Sequence, residues 1–252
     1  MIGIAIAAAV IVILGGWWIY ASQQAPTQVV VDENVNETDN KSVDSGTVYL
    51  SVTDAAVNMG NVSKVTMTVD KSYVHSQAQG WVQVSSNSQT FSLLELKAKA
   101  QAQLLGRADL AADTYDQIWF HVTEVKVTES GKEKVATMPS QDVKISAIVK
   151  VMPNASAVAT IDVLADQSLY KTDKGEFVFA PSIKLETRNS ATVNVDGSNM
   201  VAVTGGTVDS NIEAGMDVNG EVKVNFHLDL NRTLKINSGV ISIQGATTTK
   251  AD

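Results

Sequence analysis

The sequence predicts a mainly β protein in which an N-terminal hydrophobic α-helix is followed by an antiparallel Greek-key β-sandwich head. Three observations predict it: an uncharged apolar run at the N-terminus, short β-branched segments of alternating polarity after Gly46, and turn-forming pairs between those segments. The chain of 252 residues is 44% hydrophobic, enough to supply a proper core. Its formal charge is −8, so the whole-molecule field repels phosphate backbones, and nucleic acid is a poor partner. There is no cysteine, which removes disulfides, thiolate nucleophiles, zinc–thiolate sites and the lipid-bearing cysteine of a lipoprotein.

The first element spans residues 1–22. No charged residue occurs from Met1 to Val31, and large apolar side chains such as Ile2, Ile4, Ile6, Ile11, Val12 and Leu14 dominate as far as Ala21. At about 1.5–3 kcal/mol for each buried large apolar side chain, leaving a dozen of them in water costs on the order of 20 kcal/mol. Something apolar must cover the segment. As a helix rising about 1.5 Å per residue it reaches roughly 30 Å, the thickness of a bilayer's hydrocarbon core. Trp17, Trp18 and Tyr20 then fall where an interfacial aromatic belt sits. A removable signal peptide needs a basic flank, whereas the first basic residue is Lys41, so a retained helix is the expectation. The small residues Ala5 and Ala8 permit close helix–helix approach beside Ile4, Ile11 and Val12, while Gly15 and Gly16 permit a bend.

Residues 23–46 are polar and acidic and read as a linker. The head, expected over 47–188, alternates at Val62, Val65, Met67 and Val69, then at Trp81, Val82 and Val84. Further strands are expected at Tyr115–Val127, Val143–Val151, Ala157–Leu164, Phe177–Glu186, Glu221–Leu230 and Thr233–Ile243. The turn signals are Asp173 with Gly175, Asp196 with Gly197, Gly205 with Gly206, and Asn219 with Gly220. One short amphipathic helix is expected at Leu93–Leu105, where Leu96, Ala100 and Leu104 recur four apart. Residues 189–252 repeat the strand pattern, as extra strands on the first sandwich or as a second small β subdomain.

The uncharged helix, polar spacer and β-rich head together resemble an archaeal type IV-like pilin after its basic leader is removed. Ala5 stands where many bacterial pilins carry a glutamate, which points away from that branch. The strings GTVYLSVTDAAV, VSKVTMTVDKSYVH, GWVQV, TFSLLELK, AQLLGRADLAADTYDQIWFHVTEVKV and FVFAPSIKLE, in order from Gly46 to Glu186, resemble a secreted domain of unknown function, family 4382. That resemblance implies a prealbumin-like sandwich and a surface location, with no established chemistry.

Catalytic motifs are missing. His75, His121 and His227 are isolated, none sits in a metal-ligand spacing, and no GxSxG elbow is present, so no enzyme, catalytic residue or cofactor is expected. Asp217, Asn219 and Glu221 place three oxygen-bearing side chains in one turn, where calcium could bind or where turn chemistry alone accounts for them. Asn36, Asn40, Asn61, Asn154 and Asn231 each head an N-x-S/T sequon and are candidate glycosylation sites.

The expected function is that of a structural subunit of an extracellular cell-surface filament. The protein starts in the membrane and then assembles as a homo-oligomer through helix packing, with its β heads outside. The alternative is a membrane-tethered extracellular module for adhesion, with surface glycans as possible ligands.

Overall fold

The computed structural model describes residues 44–55, 59–229, 233–237 and 239–243. The expected helix over 1–22 lies outside them, with Ile4, Ala5, Ala8, Ile11, Val12, Gly15, Gly16, Trp17 and Trp18, as do most of the linker and Asn36, Asn40 and Asn231. No helix among the described residues is long and apolar enough to cross a membrane.

Strand β1 (Ser45–Thr53) comes first. It is followed by β2 (Val62–Ser76), β3 (Gly80–Ser85), β4 (Gln89–Ser92), helix α1 (Leu93–Lys99), β5 (Ala102–Ala111), β6 (Asp113–Glu129), β7 (Lys132–Thr137), β8 (Asp142–Val151) and β9 (Ser156–Val163). The short helix α2 (Ala165–Ser168) then leads to β10 (Leu169–Lys171), β11 (Phe177–Phe179), β12 (Ser182–Val195), β13 (Met200–Met216), β14 (Val222–Val224), β15 (Leu234–Asn237) and β16 (Val240–Ile243).

These elements form a mainly β fold of two large sheets and one small one. The first sheet runs β12-β9-β1-β5-β13-β14, and a further β12–β13 pairing closes five of its strands into a ring with β14 outside it. The second runs β10-β11-β7-β6-β2-β3, with β4 also on β2 and β8 also on β6. Alternation places Val48, Leu50 and Val52 of β1 in one core with Met67 and Val69 of β2 and Ile118 and Phe120 of β6, so the two sheets face each other. Leu234 and Ile241, from the separate β15–β16 pair, enter the same core.

The structure corrects several expectations. Pairing is not wholly antiparallel, because β1 runs parallel to β9 and β7 parallel to β11. The chain between β1 and β9 passes through the second sheet, long enough to allow a parallel return. The helix is Leu93–Lys99 rather than Leu93–Leu105. It stops because Ala100 turns left-handed at φ 50°, and its N–H and that of Gln101 bond back to Lys97 and Leu96. Leu105 and Leu110 then belong to β5, where they fill the core, and this packing outweighs the four-residue recurrence.

The single strand expected at Phe177–Glu186 is two, split around Pro181, where the chain leaves the second sheet for the first. Among the described residues Glu221–Leu230 forms strand only at Val222–Val224, and Thr233–Ile243 is broken into β15 and β16 by a turn at Gly239. Gly205 and Gly206 lie inside β13, not in a turn, and the expected division after 188 falls inside β12.

The glycine pair still bends the chain. Gly205, Gly206 and the facing Ser190 all take positive φ, at 65°, 75° and 52°, so both arms of the β12–β13 hairpin kink at one level. A side chain at Gly206 would bring its Cβ within 2.6 Å of the Asn189 carbonyl oxygen. Arg188 spans the kink, donating from Nε to Glu186 and from Nη1 to the Gly205 carbonyl. Beyond the kink the hairpin reaches back to β5, pairing Met200 with Gln103. Its Ala191, Val193, Val195 and Val203 cover Tyr49 of β1 and Val158 of β9, on the face of the first sheet turned away from the main core.

Candidate functional site

The outward face of the second sheet carries the clearest concentration of recognition chemistry among the described residues. Core-facing Val74, Ile118, Val82 and Ile145 alternate with outward residues, so the strand period itself pushes aromatic rings to the surface. Register then lines them up. Tyr73 of β2 stands between Gln83 of β3 and Trp119 of β6, and Trp119 faces Lys144 of β8. In the next row His75 stands between Trp81 and Gln117, and Gln117 faces Ser146. At the usual strand spacing this band is roughly 14 Å wide.

Its geometry is fixed by ring contacts and ion-assisted hydrogen bonds. Tyr73 and Trp119 stack at 4.8 Å between centroids with 24° between planes, while Trp81 meets Trp119 at 6.0 Å and 70°. Trp81 is 41% exposed, the one large aromatic so open among the described residues. The Lys71 and Lys144 ammonium groups each lie 5.8 Å from the centre of the Trp119 ring. Trp119 Nε1 donates to Asp142 at 3.1 Å, which fixes the indole in its plane.

Asp116 accepts from His75 Nδ1 at 2.7 Å and from Gln77 at 3.0 Å. The His75 hydrogen bond, and then that of Gln77, hold the Asp116 carboxyl below the usual carboxylate value. Fixed rings, lysine donors and a carboxylate acceptor thus gather about Trp119, beside the exposed indole of Trp81. Such a surface can stack on the C–H face of a ligand while hydrogen-bonding groups at its rim.

The band escaped the sequence analysis, which treated these histidines singly and used Trp81 only as a strand marker. The signal was parity. In the run Tyr73-Val74-His75, and again at Ile118-Trp119-Phe120, an aromatic or imidazole ring holds a position of opposite facing to its core neighbours.

A cleft of about 510 Å³ opens where Gln117, Lys144 and Ser146 meet Glu221 and Lys223. Beyond the other end of the band a cleft of about 650 Å³ is lined by Gln83, Ser85, Asn87, Gly106, Arg107 and Asn199, among others.

The remaining sequence candidates sit elsewhere. Asp217 Oδ1 accepts the N–H groups of Asn219 and Glu221, and Oδ2 pairs with Lys223 at 2.5 Å. Glu221 also reaches Lys223, at 3.2 Å, so these oxygens serve a turn and an ion pair. Burial opposes the charge of Asp217, but Lys223 and the turn N–H groups outweigh it and hold its carboxyl low. No group of three or more His, Asp or Glu residues able to hold a metal ion occurs among the described residues. Asn61 and Asn154 are both exposed in turns, open to modification.

Ser182, His227 and Glu213 make a chain, with Ser182 Oγ 3.3 Å from His227 Nδ1 and His227 Nε2 3.3 Å from Glu213. Ser182 is only 3% exposed, its backbone N–H is taken by Ser168, and Glu213 also pairs with Lys184. The hydroxyl is therefore turned into the protein, away from any incoming carbonyl.

No curated protein and no solved structure matches this chain. A family model does match, over residues 45–181, which is more than half of the chain and includes the whole aromatic band. The chain therefore belongs to the family described as a domain of unknown function, DUF4382.

Proposed function

We propose that this protein is a non-enzymatic cell-surface binding module. Its β region recognises glycans through the aromatic band and is held at an extracellular surface by the apolar N-terminal segment. The observation that carries this reading is the exposed Trp81 beside the Tyr73–Trp119 stack, whose Trp119 is flanked by Lys71, Lys144 and Asp142. Indole faces take up the apolar C–H patches of sugar rings, and hydroxyl groups match donors and acceptors alike. Acidic net charge disfavours anionic polymers as ligands. The test is affinity electrophoresis of the β region through gels containing a panel of neutral polysaccharides. Retardation by at least one, abolished in Trp119→Ala with an unchanged circular dichroism spectrum, is expected. Equal mobility of wild type and Trp119→Ala in every gel refutes the reading.

A second reading rests on a separate observation, the uncharged run from Met1 to Val31. In it the protein is a filament subunit of the archaeal type IV-like pilus kind, whose N-terminal helices leave the membrane to pack against copies of themselves. Burying an unpaired charge there costs several kcal/mol per subunit, repeated along the filament. Ile11→Lys is therefore expected to remove surface filaments seen by electron microscopy. Normal filament abundance in that variant, or wild-type protein found only as membrane-embedded monomers, excludes it.

A further inference from the structure

We infer that the glycan is a linear, neutral, equatorially linked polysaccharide that crosses the strands of the second sheet and occupies both flanking clefts as end subsites. The inference rests on the glycan-binding reading above and gives it a direction, a length and a chemical class.

Direction comes from register. Gln83, Tyr73, Trp119 and Lys144 form one straight row across four neighbouring strands, so contacts suited to a chain are spaced perpendicular to the strands. Length comes from the clefts. Gln83 belongs both to the row and to the cleft beside β3, while Lys144 belongs both to the row and to the cleft beside β14. The aromatic row is therefore the middle of a longer track with polar hollows at either end. A monosaccharide or a terminal sugar would use the centre alone.

The cleft beside β3 has a definite cause in the sequence. Gly106 of β5 forms part of its wall, and a Cβ there would come within 2.8 Å of the Ser85 Cβ and 3.1 Å of Val84. The bare glycine lets β5 approach β3 at the edge where the two sheets meet. Arg107 and Asn87 then supply donors at the rim, with Arg107 steadied over the Tyr49 ring at 5.3 Å. At the far cleft Ser146 and Gln117 supply hydroxyl and amide groups, and Lys223 is already engaged by Asp217 and Glu221.

Chemical class follows from the charges. Asp116 and Asp142 stand in or beside the band, and Asp70 lies 3.5 Å from His121 on the same face. Lys71 and Lys144 offset them without giving a net positive surface, so a uronic or sulfated polymer gains nothing from the site. A straight track favours a flat, ribbon-like chain over a helical one. Equatorial linkages, as in β-1,4-linked sugars, give that ribbon and alternate its C–H faces along its length.

The experiment is isothermal titration of the full chain, held in a sugar-free detergent, with β-1,4-linked glucose oligomers and, separately, β-1,4-linked N-acetylglucosamine oligomers, each from two to six units. In at least one series affinity should rise with length, by roughly tenfold or more between two and six units, as the end subsites fill. Asn87→Ala combined with Ser146→Ala should erase that rise while leaving the shortest binding oligomer unchanged, because both residues lie outside the aromatic rings. Trp119→Ala should remove binding at every length. A length-independent affinity overturns the track and leaves the glycan reading standing. Preference for an acidic polymer such as polygalacturonate overturns the neutral class. Failure to bind any glycan overturns both.

Discussion

The two sheets of the β region treat their outer faces in opposite ways. The first sheet buries part of its outer face under its own β12–β13 hairpin, so that Tyr49 is only 9% exposed although it points away from the main core. The second leaves its outer face open and sets three large aromatic rings on it. Contiguous rings on an open face are the pattern that interaction surfaces carry. The difference separates residues that hold the protein together from residues open to solvent, although Tyr49 and Trp81 are both aromatic residues on strands.

That separation is open to measurement. Tyr49→Ala should cost about 3–5 kcal/mol, since it removes a large side chain from a covered cluster, whereas Trp81→Ala on the open face should cost about 1 kcal/mol or less. Urea denaturation of the two variants checks this, and equal losses would show the faces to be energetically alike. The kink comes next. Gly206→Ala forces a side chain into a positive-φ position against the Asn189 carbonyl and should cost about 2–3 kcal/mol, read as a lower urea midpoint. It should leave the aromatic band and its ligand affinity unchanged.

The smallest effect is electrostatic and has opposite signs on two sheets. Asp116, beside the band, has its pKa lowered from 3.8 chiefly by the His75 hydrogen bond. Its contribution to stability is present above that value and is lost as the pH falls through the depressed folded value. Asp162 of β9 has its pKa raised from 3.8 by burial, so its charged form weighs against folding at neutral pH and is relieved on acidification. Asp116→Asn should therefore lower the neutral-pH urea midpoint slightly and Asp162→Asn should raise it slightly. Identical signs would mean that these environments do not differ as described.

Much of the fold was legible because it is local. Parity at Val65, Met67 and Val69, or at Val143 through Val151, identifies a half-buried strand from a few residues. What could not be read was non-local: that β9 returns parallel to β1, that Pro181 marks a change of sheet, and that Gly205 and Gly206 bend a hairpin rather than end a strand. Glycine pairs serve both purposes, and only the facing Ser190, itself at positive φ, decides between them. The aromatic band was hidden for the same reason. Trp81 and Trp119 are far apart in sequence, and pairing through β2 alone makes them neighbours.

β1 is the first strand of the β region, and it lies inside the first sheet, bonded to β5 on one side and to β9 on the other. A force directed along β1 therefore draws it against two ladders at once. In this shearing geometry the hydrogen bonds share the force instead of opening one after another as in a zipper. Tension along this one strand is thus borne by two sets of hydrogen bonds together.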